Sequence, residues 1–159
     1  FKGWLESGFP IASGSNSLPE RQLTFNLGEP LVKLVDRNHV RNNLDGSQLI
    51  IDARAAPRYR GESEPLDPVA GHIPGALNRP FACNFNEQGY FKAKDALKTE
   101  FEGLIKNSAP NNVVHHCGSG VSAVPNLIAM ELAGISGSSL YAGSWSEWSN
   151  SEPLLVQRG

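Results

Sequence analysis

The chain predicts an α/β fold, a central parallel sheet with helices on both faces. Three observations carry that prediction. Short apolar runs of buried-strand type stand at 48–53 (Gln-Leu-Ile-Ile-Asp-Ala), 112–116 (Asn-Val-Val-His-His) and 139–141 (Ser-Leu-Tyr). Stretches with apolar residues at helical spacing alternate with them, the pattern of strand–helix–strand crossovers. The 159 residues, 40% hydrophobic and 19% charged, suffice for one domain with its own core.

Residues 1–29 are rich in Gly, Ser, Pro and Asn, most densely at Ser13-Gly14-Ser15-Asn16-Ser17, which is linker composition. The first ten residues differ. Phe1 to Pro10 echoes 145–153: each has an aromatic three residues before a Trp, then a polar turn, then Pro. The echo suggests that the chain opens in the last helix of a preceding sister domain; a stray amphipathic helix is the competing reading. The division is therefore 1–29, tail and linker, and 30–159, the main domain.

Within that domain, 31–35 reads as a short strand. Asp36 can cap a helix running to about Leu44, which Asp45-Gly46 ends. After the strand at 48–53 come a helical turn at 57–60 and a polar, Pro-containing loop at 61–70. A brief strand follows at Leu77-Asn78. Residues 94–106 form an amphipathic helix with Leu97, Phe101, Leu104 and Ile105 on one side. The next strand ends at His116. A helix spans 121–133, with Val121, Val124, Leu127, Ile128 and Leu132 near helical spacing. A last strand at 139–141 and a closing turn at 145–148 complete the order. In parallel sheets ligands sit beyond the carboxyl ends of the strands, and Asp52 and Cys117 both stand there.

A net charge of −2 gives no electrostatic case for nucleic acid or membrane partners. No apolar run approaches the roughly 20 residues of a membrane span. No secretory signal is visible, and a start at Phe1 leaves room for a missing targeting segment. Two cysteines, Cys83 and Cys117, show no spacing that suggests a disulfide. They imply a reducing compartment, the cytoplasm or a eukaryotic mitochondrion, with Cys117 free and Cys83 structural. Adjacent strand residues point to opposite faces, so His115 and His116 do not join Cys117 around one metal. No metal or cofactor is expected.

The stretch Cys117-Gly118-Ser119-Gly120-Val121-Ser122 lies between a strand tip and a helix N-terminus, where backbone N–H groups favour an anion. Such donors favour thiolate over thiol, and small loop residues leave the sulfur approachable. A buried structural cysteine is the bland alternative.

Four motifs in order resemble the rhodanese-type sulfurtransferase family: Asp52-Ala53-Arg54, His72-Ile73-Pro74-Gly75-Ala76, the 117–122 loop, and Gly143-Ser144-Trp145-Ser146-Glu147-Trp148. The resemblance covers roughly 30–150. The uncharged loop is most similar to that of the catalytic second domain of 3-mercaptopyruvate sulfurtransferases; thiosulfate sulfurtransferases more often carry basic residues there. The resemblance implies transfer of sulfur from 3-mercaptopyruvate, or alternatively thiosulfate, to a thiol or cyanide through a persulfide on Cys117. It implies that Gly118, Gly120, Val121 and Ser122 cradle the persulfide. Ser119 would donate to the departing enolate or relay a proton, unless it is only a turn residue. Arg58 would grip the donor carboxylate. The family often has a second arginine nine residues on; here Asp67 stands there, with Arg60 a candidate to compensate. It also implies a preceding rhodanese-like domain as partner, in the same or another chain. Asp52 and Arg54 read as a structural ion pair, His72 as a buried hydrogen-bonded turn residue, and Trp145 and Trp148 as packing of the closing helix, with Trp145 a possible pocket wall.

Two other readings compete. His116-Cys117 also opens the loop of Cys-dependent phosphatases, but Ala123 occupies the position where a phosphate dianion needs an arginine. A non-catalytic rhodanese-like module usually lacks the cysteine that this chain has.

Overall fold

The computed structural model describes residues 1–15 and 24–159. Its centre is a five-stranded sheet built from β1 (Lys33–Val35), β2 (Leu49–Asp52), β3 (Leu77–Asn78), β4 (Val113–His116) and β5 (Ser139–Tyr141). The spatial order is β1-β5-β4-β2-β3, and every pairing is parallel. The helices are α1 (Lys2–Glu6), α2 (Arg37–Asn42), α3 (Ala56–Arg60), α4 (Lys94–Ile105), α5 (Val124–Leu132) and α6 (Ser144–Trp148).

Consecutive strand residues feed opposite faces. Ile50 and Val114 join Val40 of α2 and Trp145 and Trp148 of α6 in one core. Ile51 and Val113 join Leu97, Phe101 and Ile105 of α4 and Ala129 and Met130 of α5 in the other. Strands buried on both sides explain why 49–51 and 113–114 are unbroken apolar runs. Asp36 caps α2 by accepting from His39 N at 2.8 Å, and Gly61 closes α3 in the left-handed conformation at φ 77°.

Three expectations need correction. The strand expected from residue 31 begins at Lys33. The helix expected from 121 begins at Val124, because residues 118–123 are held in the loop. Its inward face is also different. Asn126, Leu127, Ala129 and Met130 are buried, whereas Val121, Val124, Ile128 and Leu132 are exposed. Val124, Ile128 and Leu132 line an apolar groove with Leu31, Val32 and Leu140. Asn126 is tolerated inside because its amide donates to Arg79 O and accepts from Asn84 Nδ2.

The linker expected at Ser13 to Ser17 lies partly outside the described residues, as do 18–23. The terminal echo has a local counterpart. α1 and α6 are both five-residue helices, and Trp4 Nε1 donates to Pro10 O at 3.0 Å as Trp148 Nε1 donates to Leu155 O at 2.8 Å. α1 buries none of its own residues. Among the described residues, no helix is long and apolar enough to cross a membrane.

His115 lies in the α4/α5 core, its Nε2 3.0 Å from Met130 Sδ and its ring edge-on to Phe101. Burial, with help from His116 and Arg79, pushes it down to about 3. The folded state thus holds His115 neutral while the unfolded state protonates near its ordinary value of 6.5. Its contribution is complete above that value and is lost as pH falls toward 3. Urea midpoints measured across that window should fall with pH, and His115→Leu should flatten the slope.

Candidate active site

The site stands beyond the carboxyl ends of β2 and β4. Asp52 pairs with His116 in register, and Ala53 N extends the ladder to His116 O at 2.8 Å. Cys117 follows directly. Its N–H donates to Ser144 Oγ at 3.1 Å, and Ser144 Oγ donates to Tyr141 O at 2.9 Å. The carbonyls of Cys117 and Gly118 accept from Trp145 N and Ser146 N. The start of α6 therefore clamps the start of the loop. Ser144 does this at φ 55°, a conformation that costs a non-glycine residue free energy and is maintained by these bonds.

Beyond the clamp, the amides of Gly118, Ser119, Gly120, Val121, Ser122 and Ala123 donate to no protein group among the described residues. Gly120 allows the turn at φ 81°; a Cβ there would run into Ala142 O. A row of uncommitted amides at the tip of a strand is an anion-binding device.

Cys117 is 1% exposed and packs with Ala53 and Ala123. The sulfur, expected to be approachable, is instead buried, because the residue after the last strand position still points into the fold. The next residues of the loop, Gly118, Ser119 and Ser122, line a cavity of about 270 Å³ with Arg54, Arg58, Asp67, Phe81 and Ser146 among others; Cys117 itself is not part of the wall. The fold thus brings Arg58, Gly118, Ser119 and Ser122 together. Val121 is 72% exposed and is not part of that wall. Trp145 is fully buried behind it, its Nε1 bonded to Val69 O and Arg54 stacked on its ring. Cys83, expected to be structural, is an exposed free thiol.

One wall of the cavity is an ion network. Arg54 grips both oxygens of Asp52, donates to Gly71 O at 2.6 Å and reaches Glu64 at 3.1 Å. Arg58 donates to Glu64 through Nε and Nη2 and to Asp67 Oδ2 at 3.1 Å. Among the described residues only its Nη1 finds no acceptor, and a Cβ at Gly118 would come within 3.3 Å of it. Arg60 pairs with Glu62 outside the cavity and offers no compensation there. Burial alone would raise the Glu64 carboxyl, but Arg58 and the amides of Leu66 and Asp67 hold it below its ordinary value. His72 is buried, bonded through Nδ1 to Tyr59 O and stacked on that ring. His115 and His116 face opposite sides, toward Met130 and Asp52 respectively. Burial lowers the His116 pKa although Asp52 pulls it upward.

Sequence reasoning missed Ser144 and Glu64. Ser144 lay inside a quoted motif whose role was unassigned; Glu64 carries no local signal. Glu64→Ala would strand Arg54 and Arg58 without their shared carboxylate. Breaking such a buried pair should cost about 3 kcal/mol in a chemical denaturation curve. Gly120→Ala should disorder the loop at about 1–3 kcal/mol of local strain, read as lost sulfur loading with near-native circular dichroism.

A rhodanese-like domain model matches residues 36–151. The chain is 43% identical over 147 residues to a probable 3-mercaptopyruvate sulfurtransferase of Pseudomonas aeruginosa, covering 91% of this chain and 51% of that one. It is 30% identical over 155 residues to thiosulfate sulfurtransferase of Gallus gallus, covering 96% and 52%. The crystal structure of SseA from Escherichia coli, a 3-mercaptopyruvate sulfotransferase, superposes with a TM-score of 0.69 at 33% identity, covering 91% and 53%. The chain spans about half the length of these relatives. Parallel sheet, matched domain and level of identity agree: this chain belongs to the rhodanese family.

Proposed function

We propose that this chain carries the catalytic half of a sulfurtransferase that moves sulfane sulfur through a persulfide on Cys117. The observation that carries this reading is the run of six uncommitted amides from Gly118 to Ala123 immediately after a cysteine. The names of the relatives above support the same activity.

With 3-mercaptopyruvate as donor, the Cys117 thiolate attacks the substrate sulfur. The carbon–sulfur bond breaks, its electron pair passes into the pyruvate enolate, and a proton completes pyruvate. Arg58 Nη1 binds the carboxylate, and Ser119 donates to the enolate oxygen or relays the proton. The loop amides of Gly118, Gly120, Val121 and Ser122 hold the persulfide anion, being fixed before charge arrives. A thiol or cyanide acceptor then takes the outer sulfur, and Cys117 returns as thiolate. Donor and acceptor bind in the cavity lined by Gly118 and Ser119, the two residues that follow Cys117, and the loop has to yield locally for either to meet the buried sulfur.

Thiosulfate is the second donor reading, supported by the name of the avian relative. Its two negative charges fit less well beside Asp67 than one carboxylate does. A preceding rhodanese-like domain as partner is supported by the half-length match and by the shared Trp–carbonyl geometry of α1 and α6.

Intact mass after exposure to each donor tests the reading. Wild type should gain one sulfur atom from 3-mercaptopyruvate, and Cys117→Ser should gain none. No gain from either donor removes the proposal.

A further inference from the structure

We propose that Asp67 selects the acceptor: the cavity is shaped to pass sulfur to a small α-amino thiol acid, a zwitterion of the cysteine type. The inference rests on the persulfide reading above.

Charge is the starting point. Arg54 and Arg58 meet three carboxylates, Asp52, Glu64 and Asp67, so the network carries one net negative charge. Both oxygens of Asp52 are spent on Arg54. Both oxygens of Glu64 are spent on Arg54, Arg58 and two loop amides. Asp67 differs. Its Oδ2 accepts from Arg58 Nη2, while no described group donates to Oδ1. The side chain is only 8% exposed, yet the residue lines the cavity.

Arg58 and Asp67 thus offer one cavity two opposite handles. Nη1 of Arg58 can donate to a carboxylate, and Oδ1 of Asp67 can accept from a cation. Nη2 and Oδ2 bond to each other at 3.1 Å, so the two handles belong to one ion pair on the cavity wall. A carboxylate and an ammonium on one carbon match that pairing. A ligand with a carboxylate alone satisfies Arg58 but leaves Asp67 a like-charged neighbour, and a dianion fares worse. Mercaptopyruvate, a keto acid, uses one handle; the amino thiol that replaces it uses both.

The transfer step balances without any further reagent. The acceptor thiolate attacks the outer sulfur of the Cys117 persulfide. The bond from that sulfur to Cys117 breaks, and its electron pair returns to Cys117 as thiolate. The product leaves as a hydropersulfide whose terminal sulfur takes the proton released by the acceptor thiol.

The test compares cysteine with 3-mercaptopropionate, which lacks only the α-ammonium group. Protein loaded from 3-mercaptopyruvate is mixed with each acceptor at matched thiolate concentration. Wild type should favour cysteine. Asp67→Asn, which keeps an oxygen for Arg58, should lower kcat/KM for cysteine roughly tenfold, as loss of a shielded charge pair does, and leave 3-mercaptopropionate unchanged or improved. Equal losses with both acceptors would mean that Asp67 merely holds Arg58, and would overturn the inference; so would no loss with either. If the variant does not fold, wild type decides: no preference for cysteine overturns it. Failure of wild type to load sulfur at all appears before any acceptor is added, and sinks the persulfide reading itself.

Discussion

The bond from Cys117 N–H to Ser144 Oγ fixes where the active loop begins. Ser144 is pinned to Tyr141 O at the end of β5, so two neighbouring strands jointly set the position of one cysteine. The next residues of α6 take up the carbonyls of Cys117 and Gly118. Those two carbonyls are occupied, while the N–H groups from Gly118 to Ala123 donate to no protein group among the described residues. In the proposed function an arriving anion takes up these donors, and a backbone fixed beforehand keeps the reorganisation cost small. The left-handed Ser144 and the left-handed Gly120 are the two conformational costs of that arrangement.

The ion network performs a different task. It seats Arg54 between Asp52 and Trp145, ties the 61–70 loop to β2 through Glu64, and leaves Arg58 one working edge. A permanently charged group buried in this way needs its carboxylates, since removing one partner exposes the full desolvation cost of the other. The same carboxylates temper the attraction of the cavity for anions. In the proposed function, binding strength is therefore shared between one guanidinium edge and the loop amides.

Much of this was legible in the sequence. The runs at 48–53 and 112–116 gave the central strands because both faces are buried, and the Gly-Ser-Gly sequence after Cys117 gave the loop. The inner face of α5 was not legible. Val124, Ile128 and Leu132 recur every four residues and mimic a core stripe, whereas the true inner face includes Ala129, Met130 and a satisfied Asn126. Periodicity locates a face but not the direction in which it points. Glu64 was invisible because its partners Arg54 and Arg58 are brought to it by a loop, not by a repeat. The burial of Cys117 and the exposure of Cys83 depend on tertiary placement that residue identity does not encode.

The central claim is that the peptide N–H groups after Cys117 hold the transferred sulfur. A crystal structure of the sulfur-loaded protein tests it most directly. The account predicts an extra sulfur bonded to Cys117 Sγ and within hydrogen-bonding distance of several amides between Gly118 and Ala123. An extra sulfur found on Cys83, or on Cys117 but turned away from those amides, would contradict it.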